Sequence, residues 1–311
     1  MLYTQGRIMI NVFGHTNPDS DAVCSAVVAA FWLSSQGRRA RAWRLGEVSR
    51  ETRYIFRVAG LHLPERLIML REDEPVWLVD FTEPAQGPGF LSLCNIIGII
   101  DHHRLGGLIT HLPPEVWIKP VGSSATLLWT IMEPPIRAML PPAYAILLLG
   151  AIISDTIALK SPTTTDDDYR AVAEISKLAG VNLSSFTAQL LAAKTDTDGL
   201  NAEELLEKDL KAFVISGTDV RIAQLEVSSP EQVQNQLGHL KEAMSHLAEQ
   251  TGAGLVVLMV TDIVKSFSTL YFAGPALKQA GPCSVPGMLS RKKQLLPWLA
   301  SHLKINTGEA L

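Results

Sequence analysis

Cysteine is scarce in this chain of 311 residues. Cys24, Cys94 and Cys283 are far apart and odd in number, and no CxxC pair occurs. That pattern reads as buried free thiols in a reducing compartment rather than a disulfide framework. A membrane-length apolar run is missing as well. The longest, Tyr144–Ile153, stops at Ser154-Asp155, well short of the roughly 20 apolar residues that span a bilayer. The stretch Met1–Arg7 carries no apolar core of a secretory leader, so a cytoplasmic protein without a membrane partner is expected. No excess of one charge is present: 27 Lys and Arg stand against 31 Asp and Glu, a net charge of −4. This lacks the basic footprint of a nucleic-acid binder. Internal repeats and low-complexity tracts are absent too. The remaining composition, 47% hydrophobic and 19% charged, is that of a soluble globular protein, and the length allows two domains.

The first part of the chain alternates strand-like and helix-like segments. Ile8–Phe13 reads as a strand, Ser20–Gln36 as a helix, Ala40–Arg44 as a short strand and Glu47–Ala59 as a helix. Val76–Val79 and Asn95–Ile100 are apolar strands, Ser123–Met132 and Ala143–Ser154 helices separated by Pro134, Pro135, Pro141 and Pro142, and Ala171–Ala179 a further helix. Such alternation argues a parallel sheet covered by helices. The polar stretch Lys194–Gly199 marks a change of composition. After it come a helix (Ala202–Asp209), a strand (Val220–Val227), a long helix (Pro230–Gln250), strands Gly254–Thr261 and Ser268–Phe272, and a final helix near Leu295–Leu303. The fold class expected is α/β with an N-terminal parallel-sheet domain over 1–190, a linker over 191–198, and a smaller mixed-sheet domain over 199–311.

Chemistry concentrates where apolar segments end. His15, Asp19 and Asp21 lie in Gly14-His15-Thr16-Asn17-Pro18-Asp19-Ser20-Asp21, after the first strand and before the first helix. Asp80 follows Val76-Trp77-Leu78-Val79, Asp101-His102-His103 follows Ile99-Ile100, and Asp155 ends the helix Ala143–Ser154. Taken singly, each has an ordinary reading. Asp19 or Asp21 could cap a helix, Asp80 could be a turn acid, a His pair could be surface or core, and Asp155 could be an accident that opposes a helix dipole. One shared site accounts for them all. Strand ends of a parallel sheet converge on its carboxyl edge, where ligands bind, and acids crowded there need a divalent cation to neutralise them.

These ordered motifs resemble the DHH phosphoesterase superfamily. Lys160-Ser161-Pro162-Thr163 and Ser290-Arg291-Lys292-Lys293-Gln294 narrow the resemblance to family II inorganic pyrophosphatase, from Ile10 to Pro297. The resemblance implies hydrolysis of inorganic pyrophosphate to two phosphates by a metal-bridged hydroxide. It implies two divalent metals, Mn²⁺ or Co²⁺ for preference, with further Mg²⁺ arriving with substrate. His15, Asp19 and Asp80 would hold one metal; Asp21, Asp80, His102 and Asp155 would hold the other, Asp80 bridging. Mixed imidazole and carboxylate donors suit Mn²⁺ or Co²⁺ better than Mg²⁺. His103 would contact the substrate, its alternative being a partner of Asp101 or a ligand. Arg291 and Lys292 would grip phosphate, although Arg-Lys-Lys alone reads as a solvated helix face. Lys211, in Asp209-Leu210-Lys211-Ala212-Phe213, would add a third cation, although a lysine at a helix end is ordinarily just solvated. A homodimer through the first domain is implied too.

The chain departs from the family pattern at two places. Phe81 stands where histidine usually follows the bridging aspartate, which removes a hydrogen bond behind the metals. The segment between Phe272 and Arg291 is short and rich in Pro and Gly. Two other readings compete. One is a different DHH phosphoesterase acting on short oligonucleotides, cyclic dinucleotides or polyphosphate. Many of those carry a glycine-rich loop, whereas the single adjacent pair here is Gly106-Gly107. The other is a non-catalytic phosphate or nucleotide sensor.

Overall fold

The computed structural model describes residues 9–277 and 281–306. The stretch Met1–Arg7 and Ile8, the first residue of the first expected strand, lie outside the described residues. The chain divides into two units, Met1–Ala193 and Lys194–Leu311.

The first unit runs β1 (Ile10–Phe13), α1 (Ser20–Ser35), β2 (Ala40–Ala42), α2 (Arg50–Ala59), β3 (Pro75–Val79), β4 (Asn95–Asp101), β5 (Glu115–Ile118), α3 (Ser124–Ile131), α4 (Pro134–Ala138), α5 (Pro142–Asp155), α6 (Asp166–Ala179) and α7 (Leu183–Lys194). Its sheet has the order β2-β1-β3-β4-β5 with every pair parallel. Alternate side chains feed opposite faces, as the period-2 geometry of a strand requires. Val12, Trp77, Val79 and Ile100 join the larger cluster with α1 and α5, whereas Phe13, Val76, Leu78 and Ile99 join a smaller one on the other side. Helix α5 is buried from Ala145 to Ser154. This explains why its sequence is apolar all round rather than striped. Strand order reverses at β1, which has β2 on one side and β3 on the other. The carboxyl ends of β1, β3 and β4 therefore lie side by side at a topological switch point, the usual place for a ligand in such a sheet.

The second unit continues with α8 (Ala202–Glu207), β6 (Leu210–Ile215), β7 (Thr218–Val227), α9 (Glu231–Gln234), α10 (Leu237–Thr251), β8 (Leu255–Asp262), β9 (Phe267–Ala273), β10 (Cys283–Pro286) and α11 (Leu296–Asn306). Its sheet has the order β10-β9-β8-β7-β6, parallel only between β7 and β8. One face packs on α8 and α10, and the other on residues Met288–Leu303. The sheet is thus mixed, as the sequence implies.

Several elements differ from the sequence reading. Residues 191–194, read as linker, are the last residues of α7. The long helix expected over Pro230–Gln250 is broken into α9 and α10 around Asn235-Gln236. Strands β5, β6 and β10 were not expected. Strands β5 and β10 carry no fully buried residue, so their apolar pattern is weak. Strand β6 begins at Leu210, directly after the helix expected over Ala202–Asp209.

Candidate metal centre

The loop from β1 to α1 is tight. A Cβ on Gly14 would lie 2.5 Å from the Cβ and 2.9 Å from the Cα of Ala22, so only glycine lets α1 pack this closely on the end of β1. Asp19 caps α1: its Oδ1 accepts from Ala22 N at 3.0 Å, while its Oδ2 lies 3.1 Å from His15 Nε2. The capping and site readings of Asp19 therefore coexist. Asp21 is not a cap. It is the second residue of α1, fully buried, with Oδ1 accepting from Ser25 Oγ (2.8 Å) and Ala125 N (3.0 Å) and Oδ2 from Ser124 N (2.6 Å). The first backbone donors of α3 thus hold an acid of α1.

Asp80 follows β3 in left-handed backbone, φ 64°, a conformation that non-glycine residues adopt at some cost. Its two oxygens face different groups. Oδ2 is 3.3 Å from His15 Nε2; Oδ1 is 3.2 Å from His102 Nε2 and accepts from Ser124 Oγ at 3.3 Å. His102 Nε2 is also 3.6 Å from Asp155 Oδ2 and 3.9 Å from Asp21 Oδ2. His102 Nδ1 lies 3.0 Å from the carbonyl oxygen of Val121. A carbonyl can only accept, so Nδ1 carries the proton and Nε2 faces three carboxylates. Asp155 is the last residue of α5 and is followed by a left-handed turn, with φ 49°, 55° and 64° at Ile157, Ala158 and Leu159. His103 Nδ1 donates to buried Asp101 Oδ1 at 2.7 Å, and the same oxygen accepts from His102 N and His103 N.

Among the described residues, three groups have ligand-type atoms within 4.8 Å of one another: His15, Asp19 and Asp80; Asp21, Asp80, His102 and Asp155; and Asp80, His102 and His103. Burial and the neighbouring Asp80 charge push the Asp21 carboxyl up to about 6, with His102 acting in the opposite direction. Acids held together against their mutual repulsion, and a histidine nitrogen turned into them, are a set of donors that could hold a divalent cation. The residues fit a metal, and manganese is an apt one for mixed nitrogen and oxygen donors. Cys24, next to this region, is driven well above its ordinary range by burial and nearby acids, Asp21 foremost, which fits an inert buried thiol.

The cations expected from the sequence lie in the second unit. Arg291 opens the turn before α11 and is buried; its Nη1 donates to the carbonyls of Asp209 (2.6 Å) and Ile222 (3.2 Å), and its Nη2 to Asp209 Oδ1 (2.9 Å). Lys211 is not at a helix end. It sits on β6, buried, with Nζ 4.0 Å from Asp209 Oδ1. Asp209 therefore gathers Lys211 and Arg291. Lys292, next to Arg291 in sequence, is half-buried. The backbone leading to this turn is clamped by Gln294, which accepts from Leu289 N and Ser290 N and donates to Gly287 O.

The DHH family N-terminal domain matches residues 9–152 and the DHHA2 domain matches residues 188–302. A Deinococcus radiodurans protein named "Probable manganese-dependent inorganic pyrophosphatase" is 37% identical, the alignment covering 94% of this chain and 98% of that one. A Lactobacillus gasseri protein of the same name is 33% identical over 93% and 97%. The crystal structure of a candidate family II inorganic pyrophosphatase from Methanococcus jannaschii superposes with a TM-score of 0.87 at 34% identity, covering 95% of this chain and all of that one. The chain belongs to the family II inorganic pyrophosphatases.

Within this family II chain, Phe81 buries its ring in the smaller apolar cluster, beside Leu91 and Phe13. Sequence reasoning missed Ser124, which touches both Asp21 and Asp80, and Asp209 as the partner of Arg291; the pairing of His103 with Asp101, weighed there as an alternative, is present. The helix start expected at Ser123 is present, and Ser123 caps α3. Nothing in the linear order ties that start to an acid 103 residues earlier.

Proposed function

We propose that this chain hydrolyses inorganic pyrophosphate to two phosphates with two divalent ions, Mn²⁺ or Co²⁺, held in the first unit. The observation that carries this reading is Asp80, whose two oxygens face different histidines, each within a separate group of ligand-type side chains. We assign His15, Asp19 and Asp80 to one ion and Asp21, Asp80, His102 and Asp155 to the other. Bound there, the ions supply positive charge for phosphoryl oxygens and acidify water. The residues themselves do three things. Val121 and Asp101 fix the tautomers of His102 and His103 through Nδ1. His103 is assigned to substrate, where an imidazole backed by a carboxylate can hold a proton at the leaving phosphate. Arg291, Lys292 and Lys211 are assigned to the phosphate oxygens of the tetra-anion, and Mg²⁺ arrives with it.

A homodimer is proposed through the edge strand β5. Leu105, Ile109, Leu112, Val116 and Trp117 on and before it are 40–85% exposed, an apolar surface suited to a partner. The three free thiols fit a cytoplasmic location. The functional test is phosphate release from pyrophosphate with Mn²⁺ or Co²⁺, beside a short oligonucleotide and a cyclic dinucleotide. Rapid release from pyrophosphate alone is expected. Turnover of the oligonucleotide instead would replace the reading, and metal binding with no turnover would favour a sensor.

A further inference from the structure

The carboxylate of Asp168 is fully buried at the start of α6, and its hydrogen-bond donors are Gly122, Thr126 and Thr165, none of them assigned to metal or substrate. It is saturated with donors. Oδ1 accepts from Gly122 N (3.0 Å) and Thr126 Oγ1 (2.6 Å); Oδ2 accepts from Gly122 N (2.9 Å), Thr165 N (2.7 Å) and Thr165 Oγ1 (2.7 Å). The Thr165 contacts belong to the capping box of α6. The contacts to Gly122 and Thr126 do not, since those residues lie more than 40 positions away in sequence.

Gly122 is the second residue of a short strap, Val121–Ala125, that reaches three of the proposed ligands. Val121 O holds His102 Nδ1, Ser124 N and Ala125 N hold Asp21, and Ser124 Oγ reaches Asp80. Both Asp168 oxygens converge on the one backbone N–H of Gly122, and a Cβ there would lie 2.7 Å from Oδ2. The strap is therefore drawn onto Asp168 more closely than any side chain at 122 would permit.

We propose that Asp168 is a positioning residue for the metal centre: by anchoring Gly122 and Thr126 it sets the strap that orients His102, Asp21 and Asp80. This rests on the metal reading above. Groups that orient metal ligands typically change metal affinity about 10–100-fold when removed. Asp168→Asn places an amide N–H against donors, so it breaks the anchor without changing side-chain size.

The test measures Mn²⁺ affinity by competition with a fluorescent chelator, and the EPR spectrum of the manganese-loaded protein, for wild type and three variants. Asp168→Asn is expected to weaken Mn²⁺ binding about tenfold or more and to alter the EPR signal. Thr165→Ala removes the hydroxyl that caps α6 and bonds Asp168 Oδ2 but leaves Gly122 and Thr126 on the carboxylate, and is expected to lower the melting temperature with Mn²⁺ affinity unchanged. Thr126→Val, which keeps the side-chain shape and the cap, gives a smaller loss of affinity, several-fold, and serves if Asp168→Asn does not fold. Wild-type affinity in Asp168→Asn, or in Thr126→Val should Asp168→Asn not fold, overturns the proposal alone. So does a loss in Thr165→Ala as large as that in the anchor variants, since it would make affinity follow stability. Absence of Mn²⁺ binding by the wild type overturns the metal reading and this proposal with it.

Discussion

Gly14→Ala is the most direct test of how the fold delivers acids to the centre. The new methyl would meet Ala22 Cβ at 2.5 Å, Ala22 Cα at 2.9 Å and Ala22 O at 3.1 Å. Apolar carbons rest about 3.5–4.0 Å apart, so the start of α1 must retreat from the end of β1 by on the order of 1 Å. Two of the obstructing atoms are backbone, which cannot rotate aside. Overpacking of this kind costs about 1–3 kcal/mol. The functional cost is larger, because Asp19 and Asp21 ride on α1 whereas His15 belongs to the loop leaving β1. A site needs its ligands within about 0.5 Å of their working positions. Gly14→Ala is therefore expected to bind Mn²⁺ at least about tenfold more weakly and to lose pyrophosphate turnover in parallel, while still melting cooperatively. Adding Ala22→Gly removes the 2.5 Å contact but leaves the Cα at 2.9 Å, so the double variant should recover part of the affinity. Chelator competition and thermal melts read both effects. Wild-type manganese affinity in Gly14→Ala would refute the claim that this contact sets the ligand geometry.

The other predictions concern single charges. Asp80→Asn removes the carboxylate placed between the two histidines, so tight binding of both ions should be lost; two equivalents of manganese by elemental analysis of the purified variant would contradict this. Arg291→Ala should leave metal content normal while raising KM or lowering turnover, and should destabilise the second unit by roughly 2–3 kcal/mol because Asp209 and the Ile222 carbonyl lose a charged donor. Unaltered kinetics would remove Arg291 from the site. In EDTA, the Asp21 carboxyl, raised from 3.8 to about 6, contributes stability that is complete below pH 3.8 and lost as pH rises through about 6. Manganese binds the ionised form, so the gap between metal-loaded and metal-free urea midpoints should widen from pH 5 to pH 7. A constant gap would show that Asp21 does not face the ion.

How much of this was legible in the sequence follows from what each residue answers to. Strands β1, β3 and β4 are short apolar runs ending in His or Asp, and their parallel pairing puts those ends on one edge. A reader needs only the alternation and the switch-point rule to bring His15, Asp80 and His102 together. Asp155 was legible for a similar reason, since it ends an apolar helix that must be buried. Lys211 was misplaced because β6 has only six residues and begins three residues after α8 ends; helix propensity runs on until tertiary pairing with β7 stops it. Residues that hold the ligands, rather than act as them, left no linear signal. Ser124, Val121 and Asp209 act through a backbone atom, a hydroxyl or an ordinary turn acid, and their partners are fixed only when α3 docks on α1 or β6 pairs with β7. A carboxylate can be recognised as a ligand from its place after a strand. What orients it depends on which distant N–H groups the fold delivers, as Ser124 N and Ala125 N are delivered to Asp21, and no local pattern encodes that. A substitution at Ser124 or Asp168 should therefore weaken the metal centre although neither position belongs to a motif that sequence reading would mark.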